Sequence, residues 1–524
     1  MATTSFYPLS TKEGLLKEFV GRSIKDVAVP AAVLDLAKVK NNCSHMLETV
    51  ESLNFGWRAH IKTHKTTELT RLQVGEGSGP ANIIVSTILE AEQIVRLLLE
   101  YKSAGRALLY GFPITQTAVK RLALISKALG PKSLSLMVDH PDQLPNVITL
   151  QELSGNVPSI FLKIDIGCHR AGVTPQTSAC STLISSLLEL EKAGKLHLLG
   201  LYAHAGQSYS SSAASDALDY LRQEFEALLV TAIELRNISP SHPLVLSVGA
   251  TPTTTSIRNL LHNDSKITGT IPLSPVQTAA LALRATIDLI RANECSIEIH
   301  AGVYTTLDIQ VSLLSFSIHF PPYPISLGTH HNLILFPLSI LHNSSLSTLI
   351  KLQLEDSEDI LTPQQQLVTR ALPTSGPNAM MTWDDLALTV IAEVASIYPN
   401  RGQNNTPEIL INAGVIALAR ETCRVYSGFG ILSPWNREGV SPPTTGPETH
   451  TGWTVSRISQ EHGILTWNGS QANQEIPEAE MLKIGQKIRI WPNHSCIAGA
   501  GFGWYLVVDG GDEIVDVWPR WRGW

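Results

Sequence analysis

The chain has 524 residues, well beyond the about 250 to 300 at which one hydrophobic core stops growing, so two domains are expected. Hydrophobic residues make up 44% and charged residues 16%, a balance that excludes a disordered chain. The formal net charge of −7, from 39 basic and 46 acidic residues with no long basic run, argues against a nucleic-acid partner. No run approaches the roughly 18 to 20 apolar residues that span a bilayer, and residues 1–10 lack a basic stretch followed by an apolar one. The six cysteines (Cys43, Cys168, Cys180, Cys295, Cys423, Cys496) form no CxxC and read as reduced thiols. A cytoplasmic protein without a membrane partner is the expectation.

From residue 30 onward, short β-rich runs alternate with helical stretches. The strands are expected at 31–36, 58–62, 83–86, 106–110, 134–138, 159–166, 198–204 and 244–248. About eight strands separated by helices over residues 30–305 favour a closed (β/α)8 barrel, a TIM-like α/β fold, with its chemistry at the C-terminal ends of the strands. Residues 271–293, with a proline-broken start and a helical stretch at 276–292, read as an elaboration late in the barrel. Composition then shifts at 317–380 to Ser, Pro, Leu, Asn and Gln with poor periodicity, the mark of an insertion with long loops. Beyond Trp383, short strands between Gly, Pro and Asn predict a mainly-β domain over 306–524, which residues 1–29 could join.

Two small constellations could carry chemistry. The first is Lys62, at the end of a predicted barrel strand, where burial and nearby cations (Arg58, His60, His64 and Lys65) would favour the neutral amine that a Schiff base requires. Taken alone, residues 57–66 read first as a basic solvated turn. The second is Pro492-Asn493-His494-Ser495-Cys496: residues i and i+2 of an extended segment share a face, so His494 and Cys496 could grip one ion. A buried cysteine beside a lone histidine is the competing reading.

The motifs Ile61-Lys62-Thr63-His64-Lys65-Thr66, Lys163-Ile164-Asp165-Ile166-Gly167-Cys168-His169-Arg170-Ala171-Gly172 and Gly200-Leu201-Tyr202-Ala203-His204-Ala205-Gly206-Gln207-Ser208-Tyr209 occur in that order. Together they resemble the alanine-racemase-like, fold-type III pyridoxal-phosphate enzymes, and within them the zinc-dependent D-serine dehydratases of eukaryotes. The resemblance implies that Lys62 holds pyridoxal 5′-phosphate and removes the Cα proton, with Arg170, Tyr202 and Tyr209 against the cofactor. It implies a phosphate site at Thr251, Gly302 and Val303, within residues 247–253 and 300–304, and Zn2+ on His494 and Cys496. The chain departs from the family at Ala59 (commonly Pro), Ala250 (usually Ser) and residues 301–304, where Ala-Gly-Val-Tyr stands for Pro-Gly-Asn-Tyr. The implied reaction is β-elimination from D-serine or a related D-β-hydroxy amino acid, giving pyruvate and ammonia, in a homodimer. D-Threonine aldolase and D-3-hydroxyaspartate dehydratase activities share the same parts, but the aldolases typically carry His-x-Asp, so Cys496 favours zinc and elimination.

Overall fold

The computed structural model describes residues 10–77, 79–211, 213–261, 273–312, 382–423, 426–443, 446–447, 450–469 and 475–523. The insertion expected at 317–380 lies outside them. The described residues open with a helix, Lys12–Phe19, capped by Thr11. Strand β1 (Ala31–Asp35) follows, and then eight strands: β2 (Gly56–His60), β3 (Ala81–Val85), β4 (Arg106–Pro113), β5 (Leu134–Val138), β6 (Ser159–Lys163), β7 (His197–Tyr202), β8 (Val245–Val248) and β9 (Ser296–Ala301). Every neighbouring pair is parallel, and β9 pairs with β2, so the eight close a barrel.

Two assignments made from the sequence are corrected. The strand at 31–36 is not a barrel strand: β1 pairs antiparallel with one strand and parallel with another in a separate sheet, and β9 closes the barrel in its place. A closed barrel has no free edge to accept β1, whereas the second sheet has a gap for it. Nor is the segment at 271–293 an elaboration. Its helix, Pro275–Ala292, capped by Ser274, buries Ala279, Ala280, Leu283, Ile287 and Ile290 on one face, packs on the helix Ala214–Ile238 and leads into β9. It is a member of the ring. The proline sits at the first helical position, where it interrupts nothing.

The second sheet contains β10 (Leu388–Tyr398), β11 (Glu408–Ile411), β12 (Gly430–Leu432), β13 (Gly452–Ile458), β14 (Gly463–Asn468), β15 (Lys487–Pro492), β16 (Trp504–Val508) and β17 (Ile514–Pro519). With β1 they run in the order β11-β14-β13-β12-β15-β10-β1-β16-β17, and the sheet folds back through a β10–β11 pairing. Its inner face holds Val390, Ile411, Trp453, Val455, Leu465 and Ile490. The first helix packs on β17, and Leu15, Ile24 and Val27 share a cluster with Val33, Ile391 and Leu506, which ties the N-terminal segment to this domain. Inside the barrel, Ile84, Leu109, Met137, Phe161 and Tyr202 form the filled layer. No helix among the described residues is long and apolar enough to cross a membrane.

Candidate active site

Lys62 follows β2 in a turn held by the Lys65 N–H on the Ile61 carbonyl (3.0 Å). Burial lowers its ammonium from the ordinary range, and Arg170 lowers it further while Cys496 and Glu90 oppose. The cations expected from the sequence to depress it are otherwise engaged. Arg58 binds Glu298 (2.7 Å), and Lys65 pairs with buried Glu90 (2.9 Å). His64 sits between Thr66 (3.1 Å) and Gln73 (2.9 Å), its pKa pushed by burial down to about 3. The cation that acts on Lys62 comes instead from the loop after β6. There Asp165 caps the turn by accepting the Gly167 and His169 N–H groups (3.0 and 3.1 Å). Gly172 has φ +118°, and a Cβ on it would lie 2.5 Å from the Asp165 nitrogen. Only glycine fits, and the turn so fixed presents Arg170 toward Lys62, Tyr202 and His204.

Tyr202, at the end of β7, stacks on His300 (centroids 4.2 Å apart, 10° between planes) and lies edge-on to Phe161. Tyr209 hydrogen-bonds to Thr251, and its phenol is raised by burial and by Cys496. The Val303 N–H also donates to the Thr251 hydroxyl (3.1 Å). Gly302 allows this approach, since a Cβ there would lie 2.7 Å from the His60 carbonyl oxygen. Thr251 and Val303, with Gly302 between the strand and the Val303 N–H, thus meet as the residues implied for the phosphate, and Tyr209, implied to lie against the cofactor, joins them through Thr251. Ser247 and Thr253, in the same expected segment, face elsewhere: Ser247 binds Glu298 (2.8 Å) and Thr253 binds Glu224 (3.1 Å).

Glu224 went unnoticed in the sequence because it is one of several acidic residues on a long helix. Fully buried, it accepts the N–H groups of Ala205 (2.8 Å) and Gly249 (3.2 Å), so one carboxylate ties together the loops after β7 and β8. Burial pushes its pKa up to about 7 against these hydrogen bonds. His204 and His300 were given no role of their own in the sequence, and His60, expected there as a cation beside Lys62, is a neutral ring instead. Burial holds all three imidazoles well below their ordinary value, and His204 reaches the Gly249 carbonyl at 2.6 Å. Histidines ending β2 and β9 and following β7 at a barrel mouth were the available signal.

His494 and Cys496 do not lie on an extended segment. A short helix, Ser495–Ala500, starts between them with His494 as its cap, and this strand-to-helix turn brings the two side chains into hydrogen-bond contact. Burial opposes protonation of His494, yet the bond to Cys496 and the charge of Asp308 raise it to about 9. The turn is pinned on both sides. The Asn493 amide donates to the Glu421 and Gly428 carbonyls (2.9 and 2.8 Å), the Ser495 N–H to Asp308 (2.9 Å), and the Ser495 hydroxyl to the Leu307 carbonyl. Cys496 Sγ then lies 3.2 Å from Thr63 Oγ1, beside Lys62 and within the same chain. Among the described residues no cluster of three or more His, Cys, Asp or Glu forms around an ion-sized space.

These surroundings fit both implied groups. A desolvated lysine, converging donors over a glycine and an unpartnered buried His300 Nε2 suit a phosphorylated heteroaromatic aldehyde. A neighbouring imidazole and thiol suit a borderline-soft cation such as zinc.

A closed parallel barrel with a lysine after its first strand, joined to a β sheet that brings a His-Cys pair to its mouth, defines an alanine-racemase-like fold with a dehydratase-type second domain. Residues 34–267 match the family described as "Alanine racemase, N-terminal domain", and 387–508 match that described as "Putative serine dehydratase domain". D-Serine dehydratase of Schizosaccharomyces pombe is 33% identical over all of this chain and 98% of its own length. That of Saccharomyces cerevisiae is 28% identical over 97% and 99%. The chain belongs to the D-serine dehydratase family. Its fold is shared by D-threo-3-hydroxyaspartate dehydratase from Delftia sp. HT23 (TM-score 0.63, 21% identity, 96% of this chain and 100% of that one). It is also shared by D-threonine aldolase from Filomicrobium marinum (TM-score 0.61, 17% identity, 96% and 97%).

Proposed function

We propose that this chain is a D-serine ammonia-lyase that converts D-serine, or a close D-β-hydroxy amino acid, to pyruvate and ammonia with pyridoxal 5′-phosphate and Zn2+. The observation that supports this best is the 3.2 Å approach of Cys496 to Thr63, which sets the metal-type pair beside Lys62 across the domain boundary. When bound, the cofactor would draw electrons from the Cα–H bond and the zinc would assist departure of the β-hydroxyl.

The chain's own residues fit the remaining tasks. Lys62 would hold the cofactor and then take the Cα proton, and its burial beside Arg170 favours the neutral amine that both tasks need. Thr251, Gly302, Val303 and Tyr209 would bind the phosphate, while Arg170 and Tyr202 would flank the ring. His494 and Cys496 would hold the zinc. The turn at Asn493–Cys496, pinned to Asp308 and Leu307, would cover the barrel mouth and keep water from the proton held on Lys62. Family likeness supports a homodimer in the cytoplasm.

The test is turnover of D-serine by the metal-replete, cofactor-loaded protein. Pyruvate should form and should stop with a chelator. No pyruvate from D-serine would sink the proposal. Glycine plus an aldehyde from D-threonine would replace it with the aldolase reading, and faster turnover of D-threo-3-hydroxyaspartate would move the substrate.

A further inference from the structure

At the floor of the barrel mouth a chain of buried groups runs from β2 to β9. Arg58 grips both oxygens of Glu298 (2.7 and 2.9 Å). Ser247 Oγ reaches Glu298 Oε1 at 2.8 Å and His300 Nδ1 at 3.1 Å. Beyond Nδ1 the ring ends at Nε2, which is buried and has no partner.

The proton positions follow from counting donors. A carboxylate clamped by a guanidinium only accepts, so the single hydroxyl hydrogen of Ser247 points to Glu298. The Ser247 oxygen can then only accept from His300, which places the imidazole hydrogen on Nδ1 and leaves Nε2 as a bare lone pair. Burial of the ring, and after it the nearby cations Lys163 and Arg58, favour this neutral form. A buried acceptor without a partner is costly, so a ligand that donates to it is favoured.

Resting on the proposed function, we infer that Arg58, Glu298 and Ser247 fix His300 as the Nδ1–H tautomer, and that its Nε2 accepts from the ring nitrogen of pyridoxal phosphate in protonated form. The phosphate and aldehyde oxygens of that cofactor only accept, and its phenol adjoins the aldehyde destined for Lys62. The ring nitrogen is the remaining donor. His300 is thus a positioning and protonation-selecting residue that the family motifs did not single out.

Nitrogen NMR of the full chain with isotope-labelled histidine, with His300 assigned by its loss in His300→Gln, tests both halves. Without cofactor, His300 should read as protonated at Nδ1 and bare at Nε2. Glu298→Met should release this, because with no carboxylate to hold it the Ser247 hydroxyl is free to donate to Nδ1 and the opposite tautomer becomes populated. Ser247→Ala, which leaves the ion pair intact, should give a mixture of tautomers. On loading, the Nε2 signal should move with pyridoxal phosphate. It should stay in place with the analogue carrying carbon for the ring nitrogen, and that analogue should bind roughly 2- to 10-fold more weakly. A proton on Nε2 in the cofactor-free wild type, or an unchanged tautomer in both variants, overturns the fixed tautomer. An Nε2 signal indifferent to loading, or equal affinity for the analogue, overturns the ligand contact. If pyridoxal phosphate does not bind at all, the proposed function falls with the ligand contact, while the tautomer readings still judge the chain of buried groups.

Discussion

Removing the charge of Glu224 should stabilise the protein above neutral pH. Its carboxyl is pushed by burial from an ordinary value of 4.5 up to about 7, because no cation pairs with it closely enough to offset desolvation. At about 1.4 kcal/mol for each tenfold preference, that gap corresponds to roughly 3 kcal/mol. The sign follows from proton binding. Below 4.5 both folded and unfolded chains hold the proton and nothing is lost. As pH rises from 4.5 to 7 the unfolded chain releases it first, so the penalty grows, and above 7 it is complete.

Glu224→Gln fits the same space. Its amide oxygen can keep the Ala205 and Gly249 N–H groups, and its NH2 can donate to Thr253 Oγ1, whose own hydrogen can turn to the Ala250 carbonyl (3.1 Å). His60, His204 and His300, held below 6.5, also impose pH dependence, but equally in both proteins. The informative quantity is therefore the difference between variant and wild type in denaturant unfolding from about pH 4.5 to about pH 8.5. It should grow with pH by up to about 3 kcal/mol in favour of the variant. A flat difference, or one favouring the wild type at alkaline pH, would refute the reasoning.

Other substitutions probe separate parts of the site. Lys62→Ala should abolish the absorbance of lysine-bound cofactor and slow pyruvate formation on the order of 100-fold or more; near-normal turnover would remove Lys62 from the chemistry. Cys496→Ala should lower the zinc retained after dialysis, read by atomic absorption, while cofactor absorbance persists; unchanged zinc would break the metal assignment. Gly302→Ala places a methyl 2.7 Å from the His60 carbonyl oxygen and should weaken cofactor binding about tenfold in reconstitution titrations, whereas unaltered affinity would argue against a phosphate approach there. Arg58→Met strands Glu298 in the barrel and should cost about 3 to 5 kcal/mol in unfolding experiments, and a stability equal to wild type would contradict the buried pair.

The barrel was legible because strands such as β5 and β6 are short, fully buried, mainly apolar runs between helices, the pattern of a parallel sheet covered by helices. The allegiance of β1 was not, since a buried run of Ala-Ala-Val-Leu looks the same in either sheet and only its hydrogen-bond partners decide. The same limit hid the ring role of the helix Pro275–Ala292, where proline looked like a break although it sits at a helix start. At the site, Lys62 and Cys496 were visible through local motifs, but their proximity depends on Ser495, Asp308 and Leu307 meeting across the chain. Glu224 and Glu298 owe their importance to what surrounds them after folding, which no spacing encodes.

The position of β1 sets an order of assembly. Val33 leaves the ribosome well before its parallel partner Leu506, which follows on the order of a minute later at ribosomal speed. The barrel strands, each beside its sequence neighbour, can pair as they appear. A ribosome-bound intermediate would then hold a closed barrel with Lys62 in place but no His494 or Cys496 beside it. If Lys62 and the His494-Cys496 pair serve as proposed, the lysine would be able to meet an aldehyde before the metal pair exists, so that cofactor capture would precede metal capture.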